Sequence, residues 1–234
     1  MLIRNKKADE LSESEMLALQ KLSTTALADG LSEAGISTIQ VLPEQIKAVT
    51  NRTDLLGVAY TVKAYNGNSF PVHTAIYDGK PGYVLIIDTN NYEKGPYLGD
   101  LMALTAEYMD ISGIILNGLV RDANAIKSMN IPIFCKGFLP TKPSKENTGE
   151  INTPINIGGV QIYPGDVIRG DADGVIVIPR KSLTRVISLA EAKEQKDLKR
   201  KADIEAFFKE NKGNMKNYNI TSIMLPSVAK MINQ

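Results

Sequence analysis

A chain of 234 residues with 43% hydrophobic content can bury a sizeable core, and its 27 basic against 26 acidic side chains leave a formal charge of +1, which excludes a global field that would recruit nucleic acid. The single cysteine, Cys135, excludes an intramolecular disulfide and a thiolate zinc site, and it fits a reducing compartment. The first fifteen residues contain no uninterrupted apolar segment, and no stretch approaches the roughly 18 to 20 apolar residues that span a bilayer, so a soluble cytoplasmic protein with no membrane partner is expected.

Residues 12–22 read as a helix, because Ser12 and Glu15 make a capping box ahead of Met16, Leu17, Leu19 and Leu22. A second helix follows over 23–34, weakened by Gly30 and closed by Gly35. Residues 57–63, 83–88, 113–117 and 131–135 are short apolar runs bounded by turn residues, as buried strands are. Helical stretches at 72–77, 101–109 and 123–129 lie between them, so the middle of the chain alternates strand and helix and predicts an α/β domain with a partly parallel sheet. Residues 141–153 turn polar and predict an exposed loop. Short strands resume at 160–163, 166–169 and 175–178, separated by Pro164-Gly165 and by the turn from Gly170 to Gly174, and they predict an antiparallel or mixed extension. Residues 182–209 predict a long helix that is apolar early and charged later, and the tail 220–232 is apolar, with Pro226 dividing any helix there. The expected organisation is one domain over residues 1–180 and a helical extension over 181–234.

Familiar cofactor signatures are absent, and their absence discriminates between reaction classes. There is no G-x-G-x-x-G and no Walker A sequence, which argues against dinucleotide, methyl-donor and P-loop sites. There is no G-x-S-x-G elbow, and His73 alone would have to serve any Ser-His-Asp triad.

One dense region remains, from Asp88 to Asp122. The loop from Lys94 to Gly99 leads into a helix opened by Asp100, so the amides near Gly99, Asp100, Leu101 and Met102 are expected to face open space, where helix N-termini bind carboxylates or phosphates. The strand at 113–117 ends shortly before Arg121 and Asp122, at the strand edge where α/β sheets hold ligands. Convergence of the two loops would surround a small anion with a helix N-terminus, an arginine and two aspartates. From spacing alone the commoner role of Asp100 and Asp122 is capping of the helices that follow them.

These residues resemble the RraA-like family, which includes 4-hydroxy-4-methyl-2-oxoglutarate aldolases and ribonuclease-regulating proteins. Its signature is D-x20-R-D, matched here by Asp100, twenty intervening residues and Arg121-Asp122. The resemblance extends to Gly57-Val58-Ala59-Tyr60-Thr61, the His73 helix, and the turns at Pro164-Gly165-Asp166 and Gly170 to Val175, and it spans about residues 23–179. The helix after Ser182 and the tail look longer than in the shortest members. The resemblance implies an α/β fold like the swivelling domain of phosphohistidine enzymes, with mixed β-sheet layers and flanking helices, assembled as a homotrimer or hexamer with sites at subunit clefts. It implies a class II lyase that cleaves a pyruvate-yielding 2-keto acid and decarboxylates oxaloacetate through the same enolate. In that reading Asp122 ligates Mg2+ or Mn2+, Arg121 and the amides of Gly99, Asp100, Leu101 and Met102 hold substrate, and Asp100 orients a water. A family member can instead regulate an RNA-processing enzyme by binding its surface, which needs no active site.

Other residues read as structural. His73 suits a packed, hydrogen-bonded place on its helix, and Cys135 a buried one. The cluster Lys196, Lys199, Arg200 and Lys201 alternates with acids, as a solvated helix face does. Lys63 and Lys136 end strands and are lesser candidates for meeting an anionic substrate.

Overall fold

The computed structural model describes residues 1–36, 40–211 and 220–232. After a short strand β1 (Leu2–Arg4), helix α1 (Glu13–Gln20) starts at Ser12, whose hydroxyl accepts the Glu15 amide at 3.3 Å while the Ser12 amide donates to the Glu15 carboxylate at 2.8 Å. Helix α2 (Thr24–Glu33) is capped by Ser23 and stops at Gly35, where φ is 73° and the Ile36 amide donates back to the Leu31 carbonyl at 3.0 Å. The two helices pack with the first turns of the late long helix.

The expected alternation then follows: β2 (Lys47–Ala48), β3 (Leu55–Lys63), α3 (Phe70–Tyr77), β4 (Tyr83–Asp88), β5 (Pro96–Leu98), α4 (Asp100–Tyr108), β6 (Gly113–Val120), α5 (Ala123–Lys127) and β7 (Ile133–Phe138). Residues 141–153 are not wholly loop, because β8 (Gly149–Ile151) lies inside them. Three residues are too few to show a period, and β8 is a strand because β1 and the end of β3 flank it, with Ile151 opposite both Arg4 and Val62. The chain continues through β9 (Ile155–Ile157), β10 (Val160–Ile162), β11 (Val167–Gly170), β12 (Val175–Ile178), α6 (Leu183–Glu210) and α7 (Pro226–Ile232). Pro226 starts α7 instead of breaking it, as its missing N–H allows at a first turn.

Among the described residues ten strands form one mixed sheet, with β3, β4, β6 and β7 parallel at its centre. Long strand β3 pairs along one edge with β4 and along the other with β11 first and β8 later. Both faces are covered, which is why the central strands read as continuous apolar runs. Leu85 and Ile87 join the core under α3 and α4, while Val84 and Ile86 face the β9–β10 hairpin. A third core unites α1 and α2 with Ile176, Ile178, Leu183, Val186 and Ile187.

The chain divides into two compact units, Met1–Ala190 and Glu191–Gln234. The division falls inside α6, because its first turns bury Leu183, Val186, Ile187 and Ala190 and no later residue of the helix is buried. In the second unit Lys193–Asp197 and Lys201–Glu205 are i,i+4 ion pairs on the charged helix face. No helix among the described residues is long and apolar enough to cross a membrane.

Gly30, a weak point by helix propensity, is where α2 meets α6. A Cβ there would stand 2.7 Å from the Val186 carbonyl and 3.1 Å from Ala190 Cβ. Gly30→Val is therefore expected to destabilise the fold by roughly 1–3 kcal/mol, read as a lower urea midpoint at unchanged slope.

The β11–β12 turn supplies a cap to α2: the Asp171 carboxylate accepts the Thr24 amide at 2.9 Å and the Thr24 hydroxyl at 2.7 Å. Burial alone would raise the Asp171 pKa, but these bonds, the Asp173 amide and the Arg169 charge hold it below the usual carboxylate value. A depressed folded pKa contributes stability that is present above the unfolded value and lost as pH falls through the folded one. Asp171→Asn should cost about 1–2 kcal/mol at pH 7, and the gap in melting temperature between wild type and variant should close below pH 4 in a thermal-melt series.

Candidate active site

The two loops expected to converge do so, and a strand invisible in the sequence pattern brings them together. Where β4 ends, β5 takes its place beside β6, pairing Pro96 with Leu119 and Leu98 with Val120. The Arg121 amide then donates to the Leu98 carbonyl at 3.0 Å, so Gly99 and Arg121 leave the sheet side by side. Gly99 is needed for this approach: a Cβ there would stand 2.7 Å from Asp122 Oδ2 and 3.1 Å from Arg121 Nε.

Neither aspartate caps a helix in the ordinary way. Gly99, in extended conformation, is the N-cap of α4, and Asp100 is its first helical residue, with Oδ1 accepting the Leu101 amide at 2.7 Å. Asp122 does stand at the N-cap position of α5, but its side chain makes no cap hydrogen bond, and its backbone is left-handed at φ 65° and ψ 48°. Its Oδ2 reaches across instead, accepting the Asp100 amide at 3.2 Å and lying 3.3 Å from Arg121 Nε. A carboxylate oxygen thus already occupies the anion position at the N-terminus of α4.

Stability does not account for this arrangement. Left-handed backbone at a non-glycine residue costs on the order of 1 kcal/mol. The Arg121–Asp122 pair, with side chains 41% and 37% exposed, is a surface ion pair that returns little. The expected open amides are partly used, since those of Asp100 and Leu101 donate to carboxylates, while the Met102 amide makes no hydrogen bond among the described residues. Met102 is buried at the base of the helix, and Leu101 projects outward.

The donor set fits a divalent cation of the Mg2+ type. Among the described residues no three His, Cys, Asp or Glu side chains gather into a closed cage. Mg2+ needs none, because it takes one or two carboxylates and fills its octahedron with water and ligand oxygens. Asp122 Oδ1 accepts no hydrogen bond among the described residues and faces outward, and the Asp100 carboxylate is beside it in the site.

The remaining candidates are internally matched. Lys63 pairs with Glu150 at 3.0 Å, and Lys136 donates to Glu93 at 2.8 Å and to Asn91 at 3.3 Å. Asp88 accepts the Asn90 amide as the chain leaves β4. His73 is half-buried and stacks on Tyr77, and burial, then the Lys145 charge, holds its pKa below the usual value. Cys135 is buried, and burial pushes its thiol up to about 11, so it is no nucleophile at neutral pH. The pattern gave no sign of Thr89, Tyr97 and Asn117, polar residues buried directly behind the two loops. Their only trace is polarity just after an apolar strand, which turns also show.

The family model described as RraA-like, Aldolase/RraA, matches residues 24–177. The chain belongs to the RraA-like family. A Halalkalibacterium halodurans relative, whose name carries 4-hydroxy-4-methyl-2-oxoglutarate aldolase as an unproven activity, is 36% identical over 176 residues, covering 75% of this chain and 81% of that protein. The crystal structure of a Pseudomonas syringae pv. tomato protein superposes with a TM-score of 0.73 at 26% identity, covering 85% of this chain and 96% of that one. The RNA-processing inhibitor RraA from Thermus thermophilis superposes with a TM-score of 0.57 at 26% identity, covering 60% and 85% of the two chains. The RraA-like match ends within β12, so α6 and α7 lie outside it.

Proposed function

We propose that this RraA-like protein is a divalent-metal-dependent carbon–carbon lyase that releases pyruvate from a 2-keto acid of the 4-hydroxy-4-methyl-2-oxoglutarate type and decarboxylates oxaloacetate. The observation that carries the reading is Asp122 Oδ2 lying 3.2 Å from the Asp100 amide and 3.3 Å from Arg121 Nε, which joins both halves of the D-x20-R-D signature in one half-exposed site. Asp122 would hold Mg2+ or Mn2+, with Asp100 close by; when bound, the cation supplies Lewis-acid polarisation of the substrate's keto group.

Arg121 provides fixed positive charge where an enolate oxygen develops, and the Met102 amide is free to accept a carboxylate oxygen. In aldol cleavage the 4-hydroxyl loses its proton, the C3–C4 bond breaks, its electron pair enters the keto group as the enolate, and a proton added at C3 completes pyruvate. In oxaloacetate the same bond position releases carbon dioxide. Asp100 is placed to orient the water that carries these protons, a role that needs hydrogen-bond reach and no histidine. The exposed apolar side chains Leu101, Leu104 and Tyr108 of α4 beside the site favour assembly into the trimer or hexamer in which a neighbour covers it.

The test is pyruvate release from oxaloacetate and from several 4-hydroxy-2-keto diacids, with and without Mg2+. Metal-dependent release from one of them is expected, and none from any would overturn the enzymatic reading. The likeness to an RNA-processing inhibitor favours a second reading, a protein-binding regulator that works by masking a surface. Capture of an RNA-processing enzyme that survives Asp122→Ala would support it.

A further inference from the structure

Behind the two loops of the site lies a buried chain of hydroxyl groups. Thr89 and Tyr97 are fully buried and Asn117 nearly so. The Gly67 amide donates to the Tyr97 hydroxyl at 2.9 Å, the Tyr97 hydroxyl lies beside that of Thr89, and the Thr89 hydroxyl donates to the Asn117 carbonyl. One donor assignment uses each hydroxyl once: Gly67 N–H to Tyr97, Tyr97 O–H to Thr89, and Thr89 O–H to Asn117. Burial pushes the Tyr97 phenol up to about 12, so it stays protonated and remains a donor throughout the working range of pH. Links of this kind polarise one another, and leaving one unpaired in a dry interior is costly.

The place of this chain in the fold gives it its meaning. Tyr97 is the middle residue of β5, two positions before Gly99, and the carbonyl of the next residue, Leu98, accepts the Arg121 amide. Asn117 stands at the irregularity of β6, where the register with β7 shifts between Leu116 and Leu119, four positions before Arg121. At Gly118 a Cβ would meet Thr89 Cγ2 at 3.0 Å and Oγ1 at 3.2 Å, so the bulge is seated directly on Thr89. Thr89 therefore touches both strands whose ends make the site, and it is the link between them.

We infer that Thr89, with Tyr97, is a positioning residue that sets the distance between the N-terminus of α4 and the Arg121–Asp122 pair by bridging β5 to the bulge of β6. The catalytic part of this inference rests on the function proposed above; the geometric part does not. Thr89→Val keeps the shape and removes the hydroxyl, Thr89→Ser keeps the hydroxyl, and Tyr97→Phe removes the donor upstream.

The experiment combines amide hydrogen exchange by NMR on the full chain with steady-state kinetics of pyruvate release. In Thr89→Val the Arg121 and Asp100 amides should exchange at least about tenfold faster while those of central β3 and β4 residues keep wild-type rates. The variant's kcat should fall about 10- to 100-fold with KM moved much less, and Thr89→Ser should restore most of it. Unchanged exchange at Arg121 and Asp100 overturns the inference whatever the kinetics, and so does faster exchange with wild-type kcat. Uniformly faster exchange across the sheet also overturns it, because Thr89 is then only part of the general core. If the wild type releases no pyruvate from any acid tested, the lyase reading fails by itself, and the exchange data still decide whether Thr89 bridges the loops.

Discussion

Arg121→Ala should lower kcat/KM for pyruvate release about 100- to 1,000-fold while leaving the melting temperature within about two degrees of wild type. The size follows from removing a preorganised charge at the point where negative charge grows in the transition state, an interaction that ground-state binding does not replace. The small effect on stability follows from the environment, since the Arg121 side chain is 41% exposed and its ion pair with Asp122 is solvated. Arg121→Lys is the informative companion. A lysine keeps the charge but loses the planar fork, so a partial recovery that falls short of wild type would show that direction as well as charge matters. Wild-type kcat/KM in Arg121→Ala would remove the arginine from the chemistry.

Asp122→Asn should abolish the metal dependence. Asparagine is the right replacement because it is among the few residues that tolerate the left-handed backbone held here at φ 65°, whereas alanine would add strain. Its carbonyl oxygen can still accept the Asp100 amide, so fold and loop contact survive. What is lost is the negative charge that draws a hard cation from water. Mn2+ binding followed by the relaxation of solvent protons should weaken at least about tenfold, and Mg2+-stimulated pyruvate release should fall about 100-fold or more. Undiminished Mn2+ binding would move the cation elsewhere in the molecule, and the binding readout stands independently of turnover.

Much of the architecture was legible because it is local. Ser12 with Glu15 and Ser23 with Gly35 mark helix ends through bonds only three to five residues apart. Central strands such as Tyr83–Asp88 are apolar throughout because both faces of the sheet are covered. Strands that exist only through their partners were not legible: β8 is held by β1 and β3, and β5 by the end of β6. The division within α6 was equally hidden, since it depends on where the helix stops touching α2 and not on where its charge begins.

The site divides in the same way. Sequence by itself determined which groups are available: a glycine before an acid at a helix start, and an arginine beside an acid at a strand end. It left open whether the acids cap their own helices or serve something else, because spacing is the same in both cases. Only the tertiary structure decided that, by pairing β5 with β6 so closely that Gly99 admits no side chain and by turning Asp122 away from its own helix toward the amide of Asp100. The reason is physical. A chain's local preferences act over a few residues, whereas the meeting of two loops twenty residues apart is set by the sheet register that carries both.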